Sequence, residues 1–256
     1  MKKPTLSVIV IAKNEAKLIG DCLRSVVNFA DEIVLVDSGS TDKTPQIAKK
    51  FGAKVIYLPS EKLEFARWRN IGLRQAKGEW VFYLDADEKF TPELKKEVKQ
   101  IIAAKGKMHS AFAVPRRNFL LGKELHWGGW WPDYVKRFFR KKHLEKWAGR
   151  LHEEPIFVGS LGKLKSPLIH IQPEVIGPML EKSIRWSKIE AELLYDAGHP
   201  PVVWWRIVRM FLTTLFDRLF KKQGFRDGTE GWIESIYQAF HTALVYMQLW
   251  EIQKKR

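Results

Sequence analysis

Two carboxylates, Asp85 and Asp87, stand two positions apart in "FYLDADEKF" (82–90), directly after the strand-forming run "WVFYL". In an extended chain, residues i and i+2 point to the same side, so both acids could address one target while Ala86 turns away. Side by side, they repel unless a proton or a cation intervenes. A hard divalent cation, Mg²⁺ or Mn²⁺, takes one or two carboxylates and completes its shell with water and phosphate oxygens. Such an ion would hold a diphosphate and stabilise it as a leaving group. The simpler alternative is a solvated turn that caps a helix at Thr91.

The elements that would position these acids follow from hydrophobic patterning. "LSVIVIA" (6–12), "EIVLVD" (32–37), "AKVIYL" (53–58) and "EWVFYLD" (79–85) read as strands, the first two and the last as buried ones. Helices are expected over 15–29, with Ile19, Leu23, Val26 and Val27 on one face, over "PQIAKKF" after the turn "SGSTDKT", over 62–76, and from Pro92 to about Ala104. Strands alternating with helices imply parallel βαβ units, whose ligand crevice lies at the carboxyl ends of the strands. From about 110 to 171, Gly, Trp and Pro break the pattern into short strands and loops suited to a substrate-facing region. Three helices follow over 174–197, 201–223 and 229–252, separated by "GHPP" and "KKQGFRDG".

The bulk numbers restrict the class. The 256 residues, 45% hydrophobic and 29% charged, suit one catalytic-sized domain with a smaller appendage. A formal net charge of +15 points to an anionic partner. Cys22 is the only cysteine, which excludes an intrachain disulfide and fits a reducing cytoplasm. The start "MKKPTLSVIVIAKNE" has too short an apolar run and no small-residue cleavage site, so a non-secreted protein is expected. Neither G-x-G-x-x-G after the first strand nor G-x-x-x-x-G-K-[ST] occurs, which argues against a nicotinamide or P-loop enzyme.

The blocks "SVIVIAKNE", "VDSGSTDKT" and "ARWRNIGLRQAKGEWVFYLDADE", in this order and spacing, resemble family 2 glycosyltransferases over roughly residues 5–105. The resemblance implies an α/β GT-A fold, Rossmann-like and mostly parallel, with a C-terminal helical extension. It implies a nucleotide-sugar donor, a divalent cation, and inversion at the anomeric carbon. Carried over by position, Ala12, Asn14 and Glu15 line the nucleoside pocket and Asp37 binds base or ribose. Arg69 offsets diphosphate charge beside Asn70, Asp85 reaches ribose or metal-bound water, and Asp87 is the direct metal ligand. Each has a structural alternative: Asp37 and Ser40 as helix caps, Arg69 as one solvated basic residue near Arg67 and Arg74, Glu15 as a helix-dipole partner. The implied organisation is a catalytic domain over 1–172, divided into a nucleotide-sugar half (1–105) and an acceptor-side half (106–172), then an amphipathic helical region over 173–256.

Inverting transfer needs a general base for the acceptor hydroxyl and no covalent nucleophile. "GGWWPDYVKRFFR" (128–140) and "RLHEEP" (150–155) resemble the subgroup that builds lipopolysaccharide inner core. On that resemblance Glu153 is the base, with Asp133 as the alternative, and His152 orients it or contacts phosphate. The "E-D" pair common in the family is missing downstream, so the base rests on the subgroup alone. Trp127, Trp130 and Trp131 either stack on a sugar or fill a core under a loop.

"PPVVWWRIVRMFLTTLFDRLFKK" (200–222) is apolar yet carries Arg206, Arg209, Asp217 and Arg218, too polar for a comfortable membrane span. Its basic residues with Trp and Phe suit a helix lying in the interface, and Lys221, Lys222 and the final "KKR" could meet anionic head groups. "WIESIYQAFHTALVYMQLW" (232–250) is similar, and packing of both helices on the catalytic core is the alternative. The leading expectation is a cytoplasmic enzyme, peripheral on the inner face of the cell membrane, that glycosylates a lipid-linked glycan. A polyprenyl-phosphate sugar synthase is the second reading. A basic nucleic-acid-binding protein is the third, disfavoured because Lys and Arg are spread without a recognisable motif.

Overall fold

The computed structural model describes residues 5–60, 63–104, 109–172 and 175–255; the basic start at 1–4, Pro173 at the expected boundary and the terminal Arg256 lie outside them. The chain divides into two compact units, one of residues 1–116 with 133–170, the other of residues 117–132 with 171–256.

In chain order the elements are β1 (Leu6–Ala12), α1 (Ile19–Arg24), β2 (Glu32–Asp37), α2 (Thr44–Lys50), β3 (Lys54–Tyr57), α3 (Phe65–Gln75), β4 (Trp80–Asp85), β5 (Glu88–Phe90) and α4 (Pro92–Ala103). The strands β6 (Ala111–Leu120), β7 (Lys123–Leu125), β8 (Asp133–Arg140), β9 (Leu144–Ala148), β10 (Glu154–Phe157), β11 (Leu161–Lys163) and β12 (Leu168–Ile171) follow, then α5 (Ile176–Asp196), α6 (Trp204–Phe216) and α7 (Gly228–Lys255).

The first unit is built on a sheet of order β3-β2-β1-β4-β8-β6-β12-β5. Its first four strands are parallel, as the alternating pattern implies. The strands after residue 110 return to the same sheet: β8 runs antiparallel to β4 and to β6, and β12 antiparallel to β5. The fold is thus α/β with a mixed sheet and a helical C-terminal region. β9 and β10 form a separate two-stranded ribbon.

Alternation along the buried strands supplies both faces of the sheet. Val8, Val10, Leu35, Phe82 and Leu84 pack with Ile19, Leu23, Ala48, Leu94 and Val98 of the helices on one side. Ile9, Val81 and Tyr83 pack with Leu73, Ala76, Phe139 and Trp147 on the other. At Gly72, α3 approaches β1 so closely that an added Cβ would meet Ile9 at 2.3 Å. Thr91 caps α4, its hydroxyl accepting from the Leu94 amide at 3.1 Å with Pro92 in the first turn; losing that cap costs about 1 kcal/mol. The helix expected over 15–29 is shorter. The Ser25 hydroxyl donates back to the Cys22 carbonyl at 2.6 Å and accepts from the Phe90 amide at 3.1 Å, and α1 ends there.

In the second unit, α5 and α6 pack on α7 around Ala191, Val202, Val245 and Leu249. Residues 117–132 belong with these helices rather than with the acceptor-side half expected over 106–172. The reason is specific: the Asp227 carboxylate accepts from the His126 and Trp127 amides at 3.1 and 2.8 Å, while Leu120 and Leu125 pack with Met179. A π-helical turn, Asp217–Lys221, ends α6. Among the described residues no helix is long and apolar enough to cross a membrane.

Candidate active site

The register of the parallel strands sets one row of groups at their carboxyl ends. Ala12 of β1 lies beside Asp37 of β2, and Ile11 lies beside Asp85 of β4. The loops that follow are knitted together. Asn14, at φ 58°, accepts through Oδ1 from the Thr41 amide at 2.7 Å, and its own amide donates to Ser40 Oγ at 2.9 Å. The Glu15 amide donates to the Thr44 hydroxyl at 2.8 Å. The Ala12 carbonyl accepts from the Ser38 amide at 3.0 Å. Asp37 is fully buried, and its carboxylate accepts from the amide and hydroxyl of Ser40. In this structure Asp37 shapes the turn after β2.

Beside this row runs an unbroken series of ion pairs. Asp133 pairs with Arg116 at 2.7 Å, Arg116 with Glu88 at 3.3 Å, and Glu88 with Arg137 at 3.0 Å. Arg137 then pairs with Asp85, Asp85 with Arg69 at 3.1 Å, and Arg69 with Glu153 at 2.7 Å. Four carboxylates thus alternate with three guanidinium groups. Glu88 is fully buried, and the Arg69 and Arg137 side chains are 6% exposed. Burial alone would raise the pKa of Asp85; the guanidinium groups of Arg137, Arg69 and Arg116 outweigh it and hold the carboxyl well below the usual carboxylate range. Arg69 also lies against two aromatic rings, its guanidinium carbon 4.8 Å from the Trp147 centroid and 5.5 Å from that of Tyr83.

β4 ends at Asp85 and residues 86–87 form a turn, so strand alternation does not reach Asp87. The two acids have different partners in this structure: Asp85 pairs with Arg69 and Arg137, whereas Asp87 Oδ2 lies 3.4 Å from His170 Nε2. His170 is brought there by pairing of β12 with β5, which sets it opposite Glu88. Among the described residues no group of three or more His, Cys, Asp or Glu converges. A carboxylate with an imidazole nevertheless fits a divalent ion whose other ligands are water and diphosphate oxygens.

Other expected residues divide. Glu153 lies in the loop between β9 and β10, hydrogen-bonded to Arg69, and Asp133 opens β8. His152 is exposed in the same loop. The Asn70 side-chain amide donates to the Trp147 carbonyl at 2.9 Å and accepts from the Trp147 amide at 2.8 Å, so it clamps β9 as a strand neighbour would, with one N–H and one lone pair outside those two bonds. Trp127 and Trp130 are half-buried in the second unit, under Arg226 and Arg218, as core filling; Trp131 is 42% exposed. Sequence reasoning missed Glu88, Arg116, Arg137 and His170. Glu88 and Arg137 stand inside the motifs quoted, but a lone histidine in "LIHI" carries no spacing signal.

The fold and site define an α/β enzyme with its ligand-facing groups at the carboxyl ends of parallel strands and a row of arginines paired with carboxylates beside them. The family model "Glycosyl transferase family 2" matches residues 7–160, and the chain belongs to that family; it is a glycosyltransferase of GT-A type. The lipopolysaccharide core biosynthesis glycosyltransferase LpsC of Rhizobium meliloti (strain 1021) is 27% identical over 262 residues, covering 97% of this chain and 93% of its own. The glycosyltransferase SunS of Bacillus subtilis (strain 168) is 33% identical over 156 residues, 60% of this chain and 35% of its own. Among solved structures, S. aureus TarS in complex with UDP-GlcNAc is 16% identical with a TM-score of 0.49, covering 98% of this chain and 92% of that one.

Proposed function

We propose that this glycosyltransferase moves a sugar, with inversion, from a nucleotide-diphospho-sugar to a hydroxyl of a membrane glycolipid in lipopolysaccharide core or related envelope synthesis. The observation that carries the reading is the Arg69 bridge, 3.1 Å to Asp85 on the donor side and 2.7 Å to Glu153. It sets a candidate base one guanidinium away from the donor row. The 93% coverage of LpsC, a lipopolysaccharide core enzyme by name, supports the acceptor class.

In this reading the loops after β1 and β2, including Asn14, Glu15 and the Asp37 turn, frame the nucleoside. Arg69 faces the diphosphate charge, and Asp85 is held ionised to accept from ribose hydroxyls. The acceptor oxygen attacks the anomeric carbon, Glu153 takes its proton, and the bond to the diphosphate oxygen breaks with its electron pair leaving on the nucleoside diphosphate. Asp133, tied to Arg116, is the second candidate base. Asp87 and His170 would hold a divalent cation, which supplies charge neutralisation for the departing diphosphate. The enzyme acts from the cytoplasm at the inner face of the membrane.

The test incubates the protein with Mn²⁺, single sugar nucleotides and a core glycolipid, and measures nucleoside diphosphate release and transfer. Glu153→Gln is expected to lower kcat by about 10²–10⁴ while donor binding by calorimetry persists. Unchanged transfer in that variant removes Glu153 as base, and activity confined to a polyprenyl phosphate acceptor replaces this reading with the sugar-phosphate synthase. Asp87→Ala is expected to abolish both Mn²⁺ binding and release.

A further inference from the structure

The helical unit carries an apolar surface that its own packing leaves open. α6 has no fully buried residue. Trp204, Val208, Leu212 and Phe216 recur every fourth position and are all exposed, Trp204 at 77% and Phe216 at 62%. The stripe does not end with the helix. Phe216 meets Phe220 of the π turn at 5.6 Å between centroids, Phe220 meets Trp232 of α7 at 6.5 Å, and exposed Ile236 and Phe240 continue it. Single exposed hydrophobes are ordinary, but a contiguous aromatic-rich stripe marks an interaction surface.

We propose that this face, formed by α6, the π turn and the first half of α7, seats on an anionic lipid bilayer with the helices lying in its plane. Charge decides the occupant. From Trp204 to Arg226 the chain holds six basic residues and one acidic residue, Asp217, which Lys222 holds at 2.7 Å. Arg206 and Arg209 lie over the Trp205 ring at 5.8 and 5.5 Å, able to reach head groups while their stems cover apolar surface. Leu212, Thr213, Phe216, Asp217 and Lys221 line an open hollow of about 410 Å³, apolar for the most part, with Lys221 3.8 Å from Asp217 among its lining groups, which suits part of an acyl chain. Arg218 and Arg226 lie over Trp130 and Trp127, and a second copy is a poorer partner because a two-fold face would set Arg206, Arg209, Lys221 and Lys222 against the same four. The proposal rests on the membrane-borne acceptor for its purpose, but its test does not depend on sugar transfer.

The experiment is flotation of the full chain, without donor, on phosphatidylglycerol vesicles and on phosphatidylcholine vesicles. Binding is expected on the first, weakening as salt rises, and little on the second. The triple change Trp204→Asp, Leu212→Asp and Phe216→Asp is expected to weaken flotation by about tenfold or more, with donor binding in solution unchanged. Arg209→Gln with Lys221→Gln is expected to remove the preference for phosphatidylglycerol. Wild-type protein that stays at the bottom of the gradient overturns the proposal. So does a triple variant that floats as well as wild type, or a dimer seen by light scattering that this variant dissolves. Flotation without any glycosyl transfer leaves this proposal standing and sinks the functional one.

Discussion

Arg69 serves two carboxylates while lying against two aromatic rings, a duty that needs a planar, forked cation. Lysine offers one point charge and no fork. Arg69→Lys is therefore expected to lower kcat/KM by about 10–100-fold in the donor-release assay, because Glu153 loses its tether. Arg137 answers to a different constraint. It neutralises Glu88, which has no contact with water. Arg137→Met removes a partner shared by Glu88 and Asp85, leaving Glu88 its 3.3 Å pair with Arg116 and Asp85 its 3.1 Å pair with Arg69, and should cost about 3 kcal/mol in denaturant unfolding. These roles were only partly legible. The motif "RN" named Arg69 and Asn70 together, but neighbours on a helix point about 100° apart. Arg69 therefore faces Asp85 and Asn70 faces β9. Nothing in one dimension says that Arg69 and Glu153, 84 positions apart, meet.

At the scale of elements, α7 contains a carboxyl out of place. Glu234 is 3% exposed, and burial pushes its pKa up to about 7. A folded-state pKa above the ordinary value means that this group's contribution to stability is complete below about pH 4.5 and is lost as pH rises through about 7. The span corresponds to about 3 kcal/mol. Glu234→Gln should then raise the Tm by about 5–10 °C at about pH 8 and change it little at about pH 5, read by calorimetry. Several long elements were legible because burial writes itself into apolar runs; β6 and β8, ten and eight residues long, were not, since proline and charged residues break theirs, and short strands were expected there. β1, β2, β4 and the three C-terminal helices all follow from periodicity. β5 and β12 did not, since three- and four-residue strands carry too few positions to show a period, and their pairing is what brings His170 to Asp87.

For the whole molecule, the two units are not separable at one cut. The chain passes between them after residues 116, 132 and 170. Ending the protein at residue 170 strands the segment 117–132, whose amides need Asp227 and whose leucines need Met179. Such a truncation should elute as aggregate in size-exclusion chromatography, whereas the full chain should not. The boundary near 172 was visible as a change of pattern, but the early excursion was not, because Gly and Trp residues look the same in a substrate loop and in a packed one. A last consequence concerns charge on two length scales. The molecule carries +15 overall, a field that gathers anions from a distance. At the row itself, five carboxylates, Asp85, Asp87, Glu88, Asp133 and Glu153, stand against three guanidinium groups, a formal deficit of two. A doubly negative ligand would thus be drawn by the body and opposed at the row, and pairing it with a dication would bring its own charge to zero and remove that opposition.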